Sequence, residues 1–167
     1  MFVLGIDPGL TRCGYGAVRT TRRGPRAEAL GVLRTRPADP LPQRLAELQT
    51  ELRALLVELR PDVVAVERVF FQVNVRTAMS VGQASGLAMA EAVASGAVVA
   101  QYSPNEVKLA VTGDGAADKS QVQVMVQRLL GLATAPSPPD AADAAALALC
   151  HLAHAPLLAT IGGGPPR

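Results

Sequence analysis

Phe2-Val3-Leu4-Gly5-Ile6-Asp7 is a short apolar run that ends in a carboxylate, and Pro8-Gly9 follows it directly. An apolar run bounded by a Pro-Gly dipeptide predicts a buried strand followed by a turn. Residues 14–20 and 28–34 have the composition of two further strands, with a turn at 22–25 between them. Three strands joined by short turns predict an antiparallel meander at the start of the chain.

Downstream of the meander, helical and strand patterns alternate. Leucines recur at helical spacing over 41–59, and Val63-Val64-Ala65-Val66-Glu67 has the pattern of an interior strand. The remaining predicted elements are a helix over 75–95 capped by Asn74, a strand over 97–101, and helices over 118–131 and 139–154. This order predicts an α/β domain over 1–156 with a mixed five-stranded sheet flanked by helices, followed by a flexible C-terminal tail at 157–167.

The composition is that of one domain without a membrane segment. A hydrophobic content of 49% in 167 residues is enough for an aliphatic core. The apolar runs near 78–100 and 141–161 contain polar or charged residues, so we interpret them as buried helices. Cys13 and Cys150 lie far apart without metal-binding spacing, and no signal peptide is evident. These features predict a cytoplasmic protein with reduced thiols.

Positive charge is concentrated at the start of the chain. The net charge of +2 argues only weakly for a nucleic-acid partner. Residues 1–36 contain two acids, Asp7 and Glu28, against seven arginines: Arg12, Arg19, Arg22, Arg23, Arg26, Arg34 and Arg36. An arginine-rich edge beside a buried acid can hold phosphates, although charge alone favours an ordinary solvated hairpin.

Four carboxylates stand at positions where strands end or a helix begins. Asp7 and Glu67 each end an apolar strand, and Asp140 and Asp143 lie at i and i+3 in the first turn of the last helix, so they share one face. Taken singly, each has an ordinary explanation as a turn residue or as a charge that complements the helix dipole. Together they predict a site with hard oxygen ligands, which suits Mg²⁺ or Mn²⁺ better than Zn²⁺.

Several motifs along the chain resemble the RuvC family of Holliday junction resolvases. The likeness runs in order from residue 2 to about 154, and an ordered set of this length is far more specific than Asp-x-Gly alone. The motifs are Leu4-Gly5-Ile6-Asp7-Pro8-Gly9, Gly14-Tyr15-Gly16, Ala65-Val66-Glu67-Arg68-Val69-Phe70, Gly82-Gln83-Ala84-Ser85-Gly86, Lys119-Ser120-Gln121-Val122 and Asp140-Ala141-Ala142-Asp143-Ala144.

The resemblance implies a ribonuclease-H-like fold and a metal-dependent endonuclease that cuts four-way DNA junctions. It implies that Asp7, Glu67, Asp140 and Asp143 bind two Mg²⁺ ions, with Mn²⁺ as a possible substitute. Some family members have His at the position of Asp140. The implied reaction is in-line attack of water on phosphorus, which leaves 5′-phosphate and 3′-hydroxyl ends. Implied partners are a second copy of the chain and the RuvA–RuvB branch-migration motor.

The resemblance also identifies candidate DNA-binding residues. It places base stacking near the crossover on Phe70, while the adjacent Phe71 is assigned to packing because neighbouring strand residues point to opposite faces. Lys108 and Lys119 match basic positions of the family near DNA, and Arg76 is a further candidate for a phosphate contact.

Two features of the predicted helices leave alternatives open. Ala78, Gly82, Gly86 and Ala90 form a stripe of small residues, which suits either packing on the sheet or a two-fold dimer contact. His151 and His154 are predicted to be surface or last-turn residues.

Three other functions compete with a junction resolvase. A ribonuclease-H-like nuclease that processes RNA precursors shares the fold and the opening strand. A nucleotide-binding module of the actin/sugar-kinase kind also has a strand ending in Asp-x-Gly, but it normally needs two such domains. A catalytically silent DNA-binding scaffold is a third alternative, but its four acids would repel the DNA phosphates if no metal were bound.

Overall fold

A mixed five-stranded sheet with the order β3-β2-β1-β4-β5 forms the centre of the molecule. The computed structural model describes residues 1–68 and 75–162, without the side chains of 75–77 and 156–162. The strands are β1 (Phe2–Asp7), β2 (Arg12–Thr21), β3 (Gly24–Arg34), β4 (Val63–Glu67) and β5 (Val98–Tyr102). The first three strands pair antiparallel, and β4 pairs parallel with both β1 and β5. The predicted meander and the predicted mixed sheet are confirmed.

Helices cover both faces of this sheet. The helices are α1 (Leu41–Leu59), α2 (Val75–Ala94), α3 (Pro104–Thr112), α4 (Lys119–Leu129) and α5 (Pro139–Gly162). One buried cluster joins α1 and α2 to the sheet, and a second joins α3, α4 and α5 to the opposite face. None of the described helices combines the length and the apolar character that a membrane span requires.

Strand alternation decides which side chains face which layer. Leu4 and Ile6 of β1 are buried in the cluster with α1 and α2, whereas Val3 belongs to the cluster with α5. On β4, Val64 is buried against α1 and α2, while Ala65 is buried against α5. Because successive strand residues point to opposite faces, Asp7 and Glu67 both lie on the α5 face.

Glycines on β1 and β2 let α5 lie directly on the sheet. A Cβ atom added at Gly5 would collide with the backbone oxygen of Ala144, and one added at Gly14 would collide with the backbone oxygen of Asp140. The first turns of α5 therefore pack against strand backbone, with Ala141, Ala142 and Ala144 at most 1% exposed. This close approach fixes the position of the helix start relative to β1.

Two predictions about the helices were incomplete. Helix α3 was not predicted, although Ser103 and Glu106 form a reciprocal capping box with Pro104 in the first turn, which is a sequence signal for a helix start. Helix α5 was predicted to end near residue 154, but it continues through Pro156 to Gly162. A flexible tail at 157–167 stays a prediction.

The histidine prediction was wrong for His151. Its side chain is buried against β5, and its Nδ1 is hydrogen-bonded to the hydroxyl of Tyr102 at 2.7 Å. His151 lies well before the end of α5 at Gly162, so it is not in the last turn of that helix. Cys13 and Cys150 are both free, as expected, and both are buried.

The small-residue stripe on α2 does not pack on the sheet. Ala84, Ala88 and Ala92 form the buried face of this helix, each at most 1% exposed. Gly82 and Gly86 lie on the exposed face, where an added Cβ atom would meet nothing within 4 Å. Of the two alternatives, packing on the sheet is therefore wrong, and the dimer contact stays a prediction.

Candidate active site

The carboxyl ends of β1 and β4 bring Asp7 and Glu67 to the same edge of the sheet. These two strands are parallel neighbours, and Ile6 is paired with Val66 immediately before the two acids. Both acids face α5, so they lie side by side under the start of that helix. The sequence predicted each strand end, and the register brings them together.

The start of α5 adds Asp140 and Asp143 to this edge. Gly14 is paired with Asp7 across β1 and β2, and its missing side chain leaves room for the backbone of Asp140. The two acids lie at i and i+3, which places both on the helix face toward the sheet edge. The positive end of the helix dipole is therefore next to all four carboxylates.

Three of the four acids line one cavity of about 160 Å³. Its polar lining residues are Asp7, Glu67, Asp143, Lys108 and Lys119. Its apolar wall comes from α3, α4 and α5: Pro104, Val107, Val122, Ala146 and Leu147. Asp140 lies on the other side of Asp7, toward β2, where it faces Arg12.

Burial and repulsion by neighbouring acids make Asp7 and Glu67 hard to ionise. Burial, followed by the charges of Asp143, Glu67 and Asp140, raises the pKa of Asp7 from 3.8 to about 7. Burial and the charge of Asp143 also raise the pKa of Glu67. Lys119 opposes both shifts, because its positive charge favours the ionised forms. The site therefore has an excess of negative charge that a further cation would relieve.

Two cations of the chain already contact the carboxylates. Lys119 Nζ donates a hydrogen bond to Asp143 Oδ2 at 3.0 Å. Arg12 Nη2 lies 3.2 Å from Asp140 Oδ2, which is an ion-pair distance, but that oxygen is buried and accepts no hydrogen bond from the described residues. We interpret the contact as a Coulombic pair without a directed N–H bond. The oxygen stays available to a ligand.

The residues present fit a hard divalent cation. Four carboxylates supply oxygen ligands of the kind that Mg²⁺ and Mn²⁺ prefer, and one buried oxygen lacks a hydrogen-bond donor. Within 1–68 and 75–162, however, no three His, Cys, Asp or Glu side chains already surround a single point as ligands of one ion would. The four carboxylates thus lie at the same edge of the sheet, but their side chains would have to move closer together to bind an ion.

The structure places some of the predicted DNA-binding residues beside the acids, while others lie outside the described residues. Lys108 and Lys119 both line the cavity beside the acids. Phe70, Phe71 and Asn74 lie outside the described residues, as does the side chain of Arg76, so their roles stay predictions. Sequence reasoning missed the contact between Arg12 and Asp140. The signal was available in strand parity, since Arg12 precedes Gly14 by two residues and so shares its face.

Comparison with known proteins identifies relatives that match this chain over most of its length. A model of the family described as "Crossover junction endodeoxyribonuclease RuvC" matches residues 3–151. The RuvC crossover junction endodeoxyribonuclease of Salinispora arenicola is 56% identical over 153 residues, which cover 91% of this chain and 87% of that protein. The corresponding protein of Frankia casuarinae is 50% identical and is covered completely, as is this chain. Thermus thermophilus RuvC in complex with a Holliday junction substrate superimposes with a TM-score of 0.88 at 38% identity, over 94% of this chain and 96% of that one.

Proposed function

The chain belongs to the RuvC family of crossover junction endodeoxyribonucleases, and from that membership we propose that Asp7, Glu67, Asp140 and Asp143 hold two divalent metal ions. The protein is a Holliday junction resolvase with a ribonuclease-H-like fold, and it acts in DNA recombination and repair. The family match over residues 3–151 favours this function over RNA processing, nucleotide binding or a silent scaffold.

The observation that carries the metal proposal is the gathering of four acids at one edge of the sheet. Two strand ends and one helix start converge there, and the pKa of Asp7 is raised to about 7 by burial and by its acidic neighbours. Such an arrangement is costly unless a cation or a proton compensates it. Mg²⁺, or Mn²⁺ in its place, would supply Lewis-acid activation of water and stabilisation of the leaving oxygen.

The protein side chains have separate roles in this proposal. Asp7, Glu67, Asp140 and Asp143 bind the ions through carboxylate oxygens and so fix where the scissile phosphate must lie. Lys119 and Lys108 line the same cavity and neutralise phosphate charge. Phe70 stacks on a base near the crossover, as the resemblance implies, and Arg76 adds a further phosphate contact. Hydrolysis leaves 5′-phosphate and 3′-hydroxyl ends.

We propose that the working form is a homodimer. A four-way junction offers two equivalent strands, and a two-fold pair of chains would place one active site at each. The exposed face of α2 supports this assembly, because Gly82 and Gly86 leave it open to close approach by another backbone. The neighbouring Met79 and Val93 are 61% and 66% exposed, which adds apolar surface to the same helix.

The proposed partners and location follow from the substrate. The RuvA–RuvB branch-migration complex would deliver junctions to the dimer, and a protein that acts on chromosomal DNA works in the cytoplasm of a bacterium. Co-sedimentation of the protein with RuvA–RuvB on a four-way junction tests the partnership. A protein that sediments on the junction equally with and without RuvA–RuvB would argue against it.

The deciding experiment compares cleavage of a synthetic four-way DNA junction with cleavage of a linear duplex of the same sequence. We expect paired symmetric nicks on the junction alone, present with Mg²⁺ and lost with EDTA. End-labelling identifies the 5′-phosphate and 3′-hydroxyl products. Cutting that survives EDTA would contradict the metal site, and equal cutting of duplex or RNA would contradict junction selectivity.

A further inference from the structure

A second group of cations lies on the opposite side of the acids from Lys108 and Lys119. Arg12 begins β2 and Arg34 ends β3, and the two are direct partners in the antiparallel register. Lys108 and Lys119 lie at the other side, where the cavity is lined by Glu67 of β4 and by α3 and α4. The four carboxylates therefore stand between two sets of basic side chains.

Strand parity shows that both arginines face the site. Gly14 lies on the α5 face, because an added side chain there would collide with Asp140. Arg12 is two residues earlier on the same strand and so shares that face, as its ion pair with Asp140 confirms. Directly opposite residues of an antiparallel pair project to the same face, which places Arg34 there as well.

Two guanidinium groups in this position are unfavourable without an anion. Directly opposite strand residues have Cβ atoms about 5 Å apart, and like charges at that separation destabilise the pair. Asp140 offsets part of the charge of Arg12, but the side chain of Arg34 is exposed and makes no ion pair or hydrogen bond within the described residues. Arg12 itself is 48% exposed, so both side chains are open to a ligand from solvent.

The turn that precedes Arg12 is held in place by hydrogen bonds from Arg44 and Thr35. Arg44 donates hydrogen bonds to the hydroxyls of Thr11 at 2.7 Å and of Thr35 at 3.0 Å. Thr35 is buried and donates in turn to the backbone oxygen of Leu10 at 2.6 Å. These bonds fix the backbone next to Arg12 in the free protein. The side chain of Arg12 therefore extends from a backbone position that does not depend on a ligand.

We propose that Arg12 and Arg34 form a binding site for a backbone phosphate of the DNA strand, beside the carboxylates and across them from Lys108 and Lys119. Guanidinium groups bind phosphate oxygens through paired N–H donors, which makes arginine suited to this role. Asp140 holds Arg12 in the free protein. When the carboxylate of Asp140 binds a divalent ion, Arg12 is released toward the phosphate. This inference rests on the proposed metal site.

The test is junction affinity, measured by fluorescence anisotropy of a labelled synthetic four-way junction. Arg12→Ala, Arg34→Ala and the double variant are compared in EDTA and in Ca²⁺, over about 50–200 mM salt. Arg22→Ala is the matched control, because it removes the same charge from an exposed position in the turn at the far end of the hairpin. Circular dichroism melting confirms that each variant is folded.

Arg34→Ala should weaken junction binding about five- to tenfold in both buffers and reduce the salt slope by about one. Arg12→Ala should weaken junction binding more in Ca²⁺ than in EDTA, because Arg12 is paired with Asp140 when no ion is present. Arg22→Ala should bind as the wild type does.

Wild-type affinity and salt slope in the double variant would overturn the phosphate site. A loss in Arg22→Ala as large as that in Arg34→Ala would also overturn it, because the effect would then be one of general charge. An equal loss of junction affinity for Arg12→Ala in EDTA and in Ca²⁺ would overturn the proposal that ion binding by Asp140 releases Arg12. Failure of the function itself is distinguishable, because the wild-type protein would then bind the junction no better than duplex.

Discussion

At the scale of single residues, the four carboxylates form a site whose parts are not interchangeable. Asp7, Glu67 and Asp143 line the cavity, whereas Asp140 lies toward β2 beside Arg12. Lys119 is bonded to Asp143, so that carboxylate has a cation in contact while Asp7 has only more distant ones. The three acids that line the cavity are therefore the ones whose substitution we expect to abolish cutting.

Asp7→Asn, Glu67→Gln and Asp143→Asn should each abolish cutting while junction binding survives. Loss of a metal ligand removes several kcal/mol of transition-state stabilisation, which corresponds to a rate decrease of about a thousandfold or more. Single-turnover cleavage of a labelled junction measures the rate, and anisotropy measures binding. Glu51→Gln on the exposed side of α1 is the matched control and should cut normally. Near wild-type cutting by any of the three would exclude that residue from the metal site.

The pKa of Asp7 leads to a second prediction, on stability in the absence of metal. Its pKa in the folded protein is about 7, above the ordinary 3.8. Between these values the folded state holds a proton that the unfolded chain has released, so the free energy of unfolding falls as pH rises. Asp7→Asn removes this dependence and should stabilise the metal-free protein at pH 8 by about 2–4 kcal/mol, with little effect near pH 4.

Urea unfolding in EDTA at several pH values measures this difference. Adding Mg²⁺ should raise the stability of the wild type more at pH 8 than at pH 5.5, because the ion competes with the proton for the carboxylate. The variant should show a smaller response at both pH values. Parallel stability curves for wild type and variant across this range would show that Asp7 ionises normally.

At the scale of secondary-structure elements, the position of α5 depends on Gly14. Gly14→Ala places a methyl group where the backbone oxygen of Asp140 lies, so the first turn of α5 must move or the strand must bend. Overpacking of this kind costs about 1–3 kcal/mol. We also expect slower cutting with little change in junction binding, because Asp140 and Asp143 shift away from Asp7.

Thermal melting and single-turnover cleavage test the Gly14→Ala prediction together. Gly115→Ala is the control for stability, because the nearest atom to its added Cβ is the backbone oxygen of Asn105 at 3.9 Å, an ordinary contact distance. A Gly14→Ala protein with unchanged melting and unchanged cutting would show that α5 does not need this close approach.

The sequence predicted most elements because their local signals are strong. β1 and β4 are apolar runs bounded by turn residues, and α1 has leucines at helical spacing. Helix α3 was not predicted because it has only nine residues, although its capping box marks where it begins. On α2, the exposed stripe and the buried stripe consist of equally small residues, so periodicity did not show which one faces the sheet.

The candidate site was predicted in its residues but not in its contacts. Asp7, Glu67, Asp140 and Asp143 could be chosen from strand ends and helix starts. The contacts of Arg12 with Asp140 and of Lys119 with Asp143 join residues far apart in sequence. Such pairs depend on strand register and on the approach of α5, which arise only when the whole sheet has formed.

At the scale of the whole molecule, the open question is how one chain cuts two strands of a junction. In the single chain, Gly82 and Gly86 lie on the exposed face of α2, where an added Cβ atom would meet nothing within 4 Å. A large side chain there costs an isolated chain little, because it would extend into solvent. The same side chain would clash if a second copy packed on this face, so substitution separates the two cases.

Gly86→Arg should therefore convert the proposed dimer to a monomer without lowering the thermal stability of the isolated chain. Sedimentation velocity at micromolar concentration measures the mass, and Ala46→Arg on the exposed side of α1 is the matched control that should stay dimeric. On a supercoiled plasmid with an extruded cruciform, the wild type should give linear product, because both strands are cut within one complex. The monomeric variant should give mainly nicked circles, because each cut then needs a separate encounter. A wild-type chain that sediments as a monomer would contradict the dimer, and a dimeric Gly86→Arg protein would move the interface away from α2.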